Sequence, residues 1–108
     1  MKNNYKYNKA DLFSGGAIYN DQGTMTIKND NFKNNTATYA GAIFNDGKTI
    51  INNSKFNNNK AQIDAGAIYN HEKLIINNSN FNNNQQILDN GCGGAIYNFI
   101  ECILTITN

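Results

Sequence analysis

One phrase recurs down the chain. The glycines of its G-A-I-Y/F-N wording, Gly16, Gly41, Gly66 and Gly94, lie 25, 25 and 28 residues apart, and Phe32, Phe56 and Phe81 follow each other at steps of 24 and 25. Two independent landmarks that keep one period constrain the fold more than any local propensity does. A unit this short cannot bury its own apolar face and has to stack on its neighbours.

Inside the unit the apolar spacing is that of a strand. Met25 and Ile27, Thr49 and Ile51, Leu74 and Ile76, and Leu104 and Ile106 stand at i and i+2, the two-residue period that puts side chains on one face of a pleated strand. Each unit reads as three short strands, "GAIYN", "LIIN" and one around "SNFNN", with Gly, Asp and Asn at the corners. No segment carries i, i+3, i+4 apolar spacing long enough for a helix. The expected architecture is an all-β parallel β-helix (a solenoid) of about four coils of about 25 residues, beginning near Gly16, Gly41, Gly66 and Gly94.

Stacked coils place equivalent residues about 4.8 Å apart, so identical residues form files. The interior is expected to hold Ile18, Ile43, Ile68 and Ile96 in one file and Phe32, Phe56 and Phe81 in another. Asparagine suits such a stack twice over: its amide can hydrogen-bond to its own kind up a ladder, and it tolerates the left-handed backbone of a sharp corner. Three ladders are expected: Asn20, Asn45, Asn70 and Asn98; Asn29, Asn53 and Asn78; and Asn35, Asn59 and Asn84. Alternation along "GAIYN" sends Gly and Ile to one side and Ala and the aromatic to the other. With isoleucine inside, Tyr19, Phe44, Tyr69 and Tyr97 form an outer aromatic stripe able to stack on sugar rings, on a partner protein or on itself. Alternation alone also allows the opposite orientation.

Composition narrows the function. All nine basic residues are lysine and the net charge is +1, which argues against a nucleic-acid binder with its basic stripe and arginine contacts. Two dozen asparagines would fit a disordered tract, but 40% of the residues are hydrophobic and recur in register. No run approaches the roughly 18 apolar residues of a membrane-spanning helix, and the opening "MKNNYKYNKADLF" lacks a signal-type apolar core. Cys92 and Cys102 lack the spacing of a zinc pair; they are expected to be half-buried thiols, and a disulfide would require the chain between them to turn back.

The pairing of "GGAI" at Gly15–Ile18 and Gly93–Ile96 (shortened to "AGAI" at Ala40 and Ala65) with F-x-x-N at Phe32–Asn35, Phe56–Asn59 and Phe81–Asn84 resembles the repeat of chlamydial-type polymorphic outer-membrane proteins. The fuller wording is similar to that of adhesin-like surface proteins of methanogenic archaea. The resemblance implies a right-handed β-helix displayed at a cell surface or outside the cell, with adhesion as its role. Tyr5, Asn8 and Ala10 fit the pattern of a coil already under way, and "LTITN" stops at the position of Asn29, Asn53 and Asn78. The single segment 1–108 is therefore expected to be a fragment of a longer array, open to end-to-end self-association.

The search for chemistry finds little. Asp21 and Asp46 share a turn position that His71 and Phe99 occupy further on. An Asp46-oriented His71 is a general base on paper, but no nucleophile accompanies it, and exposed turn residues are the expectation. The acids are too scattered for calcium. No catalytic residue, metal or cofactor is expected. The sequence favours a non-enzymatic scaffold for contact with carbohydrate or a cell-surface protein; the alternative is a piece of a polysaccharide-acting β-helix enzyme whose catalytic coils lie elsewhere.

Overall fold

A computed structural model describes residues 4–6, 9–10, 15–87, 94–98 and 103–107. Cys92 and Cys102 lie outside the described residues, as do Asn8, Phe99 and the acids Asp11, Asp89 and Glu101. Every regular element described is a strand. In chain order these are β1 (Asn4–Lys6), β2 (Lys9–Ala10), β3 (Ile18–Lys28), β4 (Asn31–Lys33), β5 (Thr36–Ala37), β6 (Ile43–Asn52) and β7 (Lys55–Asn57). They continue with β8 (Lys60–Ala61), β9 (Ile68–Asn70), β10 (Lys73–Asn77), β11 (Asn80–Asn82), β12 (Gln85–Gln86), β13 (Ile96–Asn98) and β14 (Ile103–Thr107).

The strands stack into three parallel sheets. One runs β1-β4-β7-β11, one β12-β8-β5-β2, and the largest carries β13-β9-β6-β10-β14 with β3 beside β6. Three turns separate the first and last strand of each stack, so the chain is a β-solenoid of about three turns. The sequence period sets the register: Ile18 pairs with Ile43, Ile43 with Ile68, and Ile68 with Ile96. Where the units differ in length, the backbone absorbs the difference. The register of β3 on β6 slips between Asp21 and Thr24, at Gln22, whose φ of 65° takes up the extra residue as a bulge.

Two expectations about the strands need correction. "GAIYN" and "LIIN" are not separate faces: they lie in one sheet, fused in β3 and β6 and parted in β9 and β10. The third side of the coil is instead the two-residue strand after F-x-x-N, which pairs Thr36 with Lys60 and Ala37 with Ala61 and which alternation over so short a run could not reveal.

The core is a stack of files. Ile43, Ile51, Ile68, Phe32, Phe56 and Leu74 are fully buried. Phe32 and Phe56 stack at 4.6 Å with their planes 1° apart, and Phe56 on Phe81 at 4.7 Å and 2°. Parallel faces are imposed by the coil spacing, since rings in register on strands about 4.8 Å apart can meet only face to face.

The glycine file is a steric demand of this spacing. A Cβ at Gly16 would run into the Gly41 carbonyl oxygen, one at Gly41 into that of Gly66, and one at Gly66 into that of Gly94. The strict alternation expected through "GAI" fails here. The N–H groups of Ala42 and Ile43 both donate to the Ala67 carbonyl, at 2.9 and 2.9 Å, and those of Ala17 and Ile18 both donate to Ala42. Two successive donors on one acceptor bend the chain, so that Ala42 and Ala67 join the same core cluster as Ile43 and Ile68.

Candidate functional site

Asparagine performs two separable tasks. The first is the side-chain ladder. Asn20 Nδ2 donates to Asn45 Oδ1 at 2.9 Å, Asn45 Nδ2 to Asn70 Oδ1 at 2.8 Å, and Asn70 Nδ2 to Asn98 Oδ1 at 2.6 Å. The same amides tie down the turn beside them. Asn45 Nδ2 also donates to the Gly47 carbonyl at 3.0 Å and, one coil on, to that of Lys73 at 2.9 Å, while Thr49 Oγ1 donates to Asn45 Oδ1. A second such ladder runs through Asn35, Asn59 and Asn84, each Nδ2 donating to the next Oδ1 at 2.9 Å. Asn35, Asn45, Asn59 and Asn70 are fully buried, and a buried amide is tolerable only with such partners.

The second task is backbone geometry, and it corrects the third expected ladder. Asn29, Asn53 and Asn78 have φ of 57°, 51° and 49°, and no side-chain hydrogen bond joins them. Their backbone N–H groups bond along the stack instead, to the carbonyls of Asn52, Asn77 and Thr107. They are corner residues chosen for left-handed backbone, which few other residues adopt cheaply. A parallel file at Asn34, Asn58 and Asn83, with φ of 58°, 57° and 54°, turns the next corner. Beside the first corner, Asn77 Nδ2 donates to Asn52 Oδ1 at 2.8 Å.

A hydroxyl file escaped the sequence reading. Asp30 N donates to Ser54 Oγ at 3.2 Å and Ser54 N to Ser79 Oγ at 3.0 Å, while each hydroxyl donates back to the carbonyl two residues earlier. The "NNS" before the strands of Phe56 and Phe81, with Asp30 at the serine position before Phe32, was its signal.

The aromatic file also differs from its expected setting. Tyr19, Phe44, Tyr69 and Tyr97 stack with centroids 5.1, 4.6 and 5.1 Å apart, on the far side of the strand from the isoleucines. They are not a free outer stripe. Tyr69 is 8% exposed and packs with buried Ala40 and Ala65, with Phe44 and Tyr97 beside them; Tyr19 is half exposed. The bend at Gly-Ala lets the small-residue file slide under the rings, so they close a second, minor core. Exposure in the file is greatest at Tyr19, while Phe44 and Tyr97 are half-buried.

His71 and Asp46 do meet. His71 Nδ1 and Asp46 Oδ1 are 3.0 Å apart, with side chains 43% and 22% exposed, and Asp21 stands in register with Asp46. An oriented imidazole on an exposed turn, with water around it, is a weakly held surface pair. Among the described residues no group of three or more His, Cys, Asp or Glu is arranged to hold a metal ion, and no helix is long and apolar enough to cross a membrane.

The fold and its ladders thus define a stacked-repeat scaffold, a class of protein in which successive coils present regular faces rather than one cleft. In the comparison with protein families, residues 53–71 match the Chlamydia polymorphic membrane protein repeat. That stretch contains both landmarks, Phe56–Asn59 and Ala65–Ile68. Searches of curated proteins and of solved structures returned no match.

Proposed function

We propose that the chain is a non-enzymatic repeat segment of an adhesin-like protein at the cell surface or outside the cell, a right-handed parallel β-helix of four coils that works by reach and display. The observation that carries this reading is the match of residues 53–71 to a repeat named for membrane proteins. The wording of the remaining coils extends it to the adhesin-like surface proteins of methanogenic archaea. Right-handedness has general support, because crossovers between parallel strands of one sheet are almost always of that hand. The ligand class is carbohydrate or a host or cell-surface protein, met at half-exposed Tyr19 and half-buried Tyr97, each of which joins an aromatic ring to a phenolic hydroxyl.

Retention of the full chain on immobilised glycans and on whole cells tests the proposal. Binding to one glycan class or cell type is expected, reduced several-fold by Tyr19→Ala and Tyr97→Ala with the strand circular dichroism unchanged. Absence of retention on every surface would sink it. Release of new reducing ends from a polysaccharide would instead favour the enzymatic alternative.

A further inference from the structure

The charges of the chain are sorted by wall. Between residues 15 and 87, where the description is continuous, the lysines are Lys28, Lys33, Lys48, Lys55, Lys60 and Lys73. Each lies in the half of the large sheet that follows the Asp21, Asp46 and His71 turn, in the phenylalanine sheet, or in the two-residue sheet beside it. The acids of the same stretch lie elsewhere. Asp21, Asp46, Asp64 and Glu72 flank the strands that carry the aromatic file, and Asp30, the one acid on the lysine side, is 7% exposed. Ordinary surfaces intersperse the two signs. Lys48 and Lys73 stand next to the turn acids, but Lys28, Lys33, Lys55 and Lys60 surround the two asparagine corners, and none of them is in an ion pair among the described residues, where the acid–base contact is His71 with Asp46.

The neighbours of these lysines say what kind of anion they suit. On the phenylalanine sheet every position that flanks Phe32, Phe56 and Phe81 is lysine or asparagine: Asn31 and Lys33, Lys55 and Asn57, Asn80 and Asn82. Lys33 is in register with Asn57 and Lys55 with Asn31, which sets the two lysines on a diagonal of about 7–8 Å. Lys55 and Lys60 are exposed and Lys33 is half-buried. With no aromatic or aliphatic side chain flanking that file, the wall lacks the buried anchor of a protein interface, the stacking platform of a single-stranded nucleic-acid site and the apolar face of a membrane-surface element. Arginine, whose fork matches phosphate, is absent from the sequence. What remains is amide and ammonium. An amide both donates and accepts, as a sugar hydroxyl does, and an ammonium is a point charge on a flexible stem that can follow separated anions. We propose that this wall holds an acidic glycan, a polysaccharide whose sugars carry carboxylate or sulfate groups, with its anions at Lys28, Lys33, Lys55 and Lys60 and its hydroxyls at the amides between them. The inference rests on the reading of carbohydrate as a ligand class, and adds to it a charge and a second wall.

Retention of the full chain on immobilised polygalacturonate and dextran sulfate, with unmodified dextran and double-stranded DNA as comparisons, tests it. Strong retention on at least one acidic glycan is expected, much weaker on dextran and DNA, and lost in about 1 M salt, where screening acts beyond about 3 Å. The preferred column distinguishes carboxylate from sulfate. Lys33→Gln, Lys55→Gln and Lys60→Gln together should weaken retention about eightfold, at about twofold per exposed charge, with the strand dichroism unchanged. Lys55→Gln with Lys60→Gln, both at exposed sites, should weaken it about fourfold and carries the test if the triple variant folds poorly. Asp21→Asn with Glu72→Gln, on the acidic wall, should not weaken it. Equal retention on DNA, or acidic-glycan binding that the lysine variants leave intact, would overturn the inference. Retention on neutral glycans alone, sensitive to Tyr19→Ala, would overturn it and leave the proposed function standing, whereas absence of retention on every glycan and cell would overturn both.

Discussion

Asn59→Ala tests whether the ladder holds the fold together or merely decorates it. Asn59 is fully buried. Its Nδ2 donates to Asn84 Oδ1 at 2.9 Å and to the Phe32 carbonyl at 3.1 Å, and its Oδ1 accepts from Asn35 Nδ2 at 2.9 Å and Asn35 N at 3.0 Å. A net hydrogen bond contributes about 1 kcal/mol, and a buried group left unsatisfied costs about 1–3 kcal/mol. The substitution removes four bonds and takes partners from two fully buried residues, Phe32 and Asn35, so the expected loss is about 3–5 kcal/mol. That is a large share of the roughly 5–15 kcal/mol typical of a domain. Asn84→Ala is the control. It removes three bonds, two accepted from Asn59 and one donated to Phe56, and those two residues are fully buried, but Asn84 itself is half-buried, so water can enter the space it leaves; a smaller loss of about 1–3 kcal/mol is expected. Urea unfolding followed by circular dichroism measures both. If Asn59→Ala costs less than about 1 kcal/mol, or no more than Asn84→Ala, the argument from buried amide satisfaction is wrong.

Three further substitutions probe other links of the fold. Gly41→Ala places a Cβ against the backbone of Gly66 and Lys60, atoms that cannot move aside, and should cost more than about 3 kcal/mol or abolish the cooperative melting transition. At the Asn53 corner, φ 51°, Asn53→Gly should change the unfolding midpoint little and Asn53→Val should cost about 1–2 kcal/mol; equal effects would remove the left-handed corner from the explanation. Burial holds the Asp64 carboxyl above its ordinary value of 3.8, so the folded state favours the protonated form. That contribution is fully present below the unfolded value and is lost as pH rises through the folded one. Asp64→Asn should therefore raise the melting temperature at neutral pH and give a smaller gain in acid; a gain independent of pH would refute the assignment.

The sequence by itself determined the stacking. A fixed period carrying apolar residues at i and i+2 has one economical solution, parallel strands in register, and that register specifies which residues share a file: Ile18 with Ile43, Ile68 and Ile96; Phe32 with Phe56 and Phe81; Asn20 with Asn45, Asn70 and Asn98. Repetition conveys this because every coil restates the same constraint. It does not convey where the chain turns within a coil. Asn29, Asn53 and Asn78 recur as faithfully as Asn35, Asn59 and Asn84, yet the first file sits at positive φ and the second donates up a ladder, a difference of backbone angle that the identity of the residue does not encode.

Only the tertiary structure decided that the aromatic file closes over Ala40 and Ala65. Two consecutive N–H groups share one carbonyl at the Gly-Ala bend and break the alternation on which the face of each side chain was reckoned. The meeting of His71 with Asp46 was legible as a shared turn position, but the 3.0 Å contact depends on two side chains from different coils leaning toward each other. A period fixes neighbours along the stack. The angles at the corners, and hence which side of the wall a residue ends on, are settled by hydrogen bonds between coils.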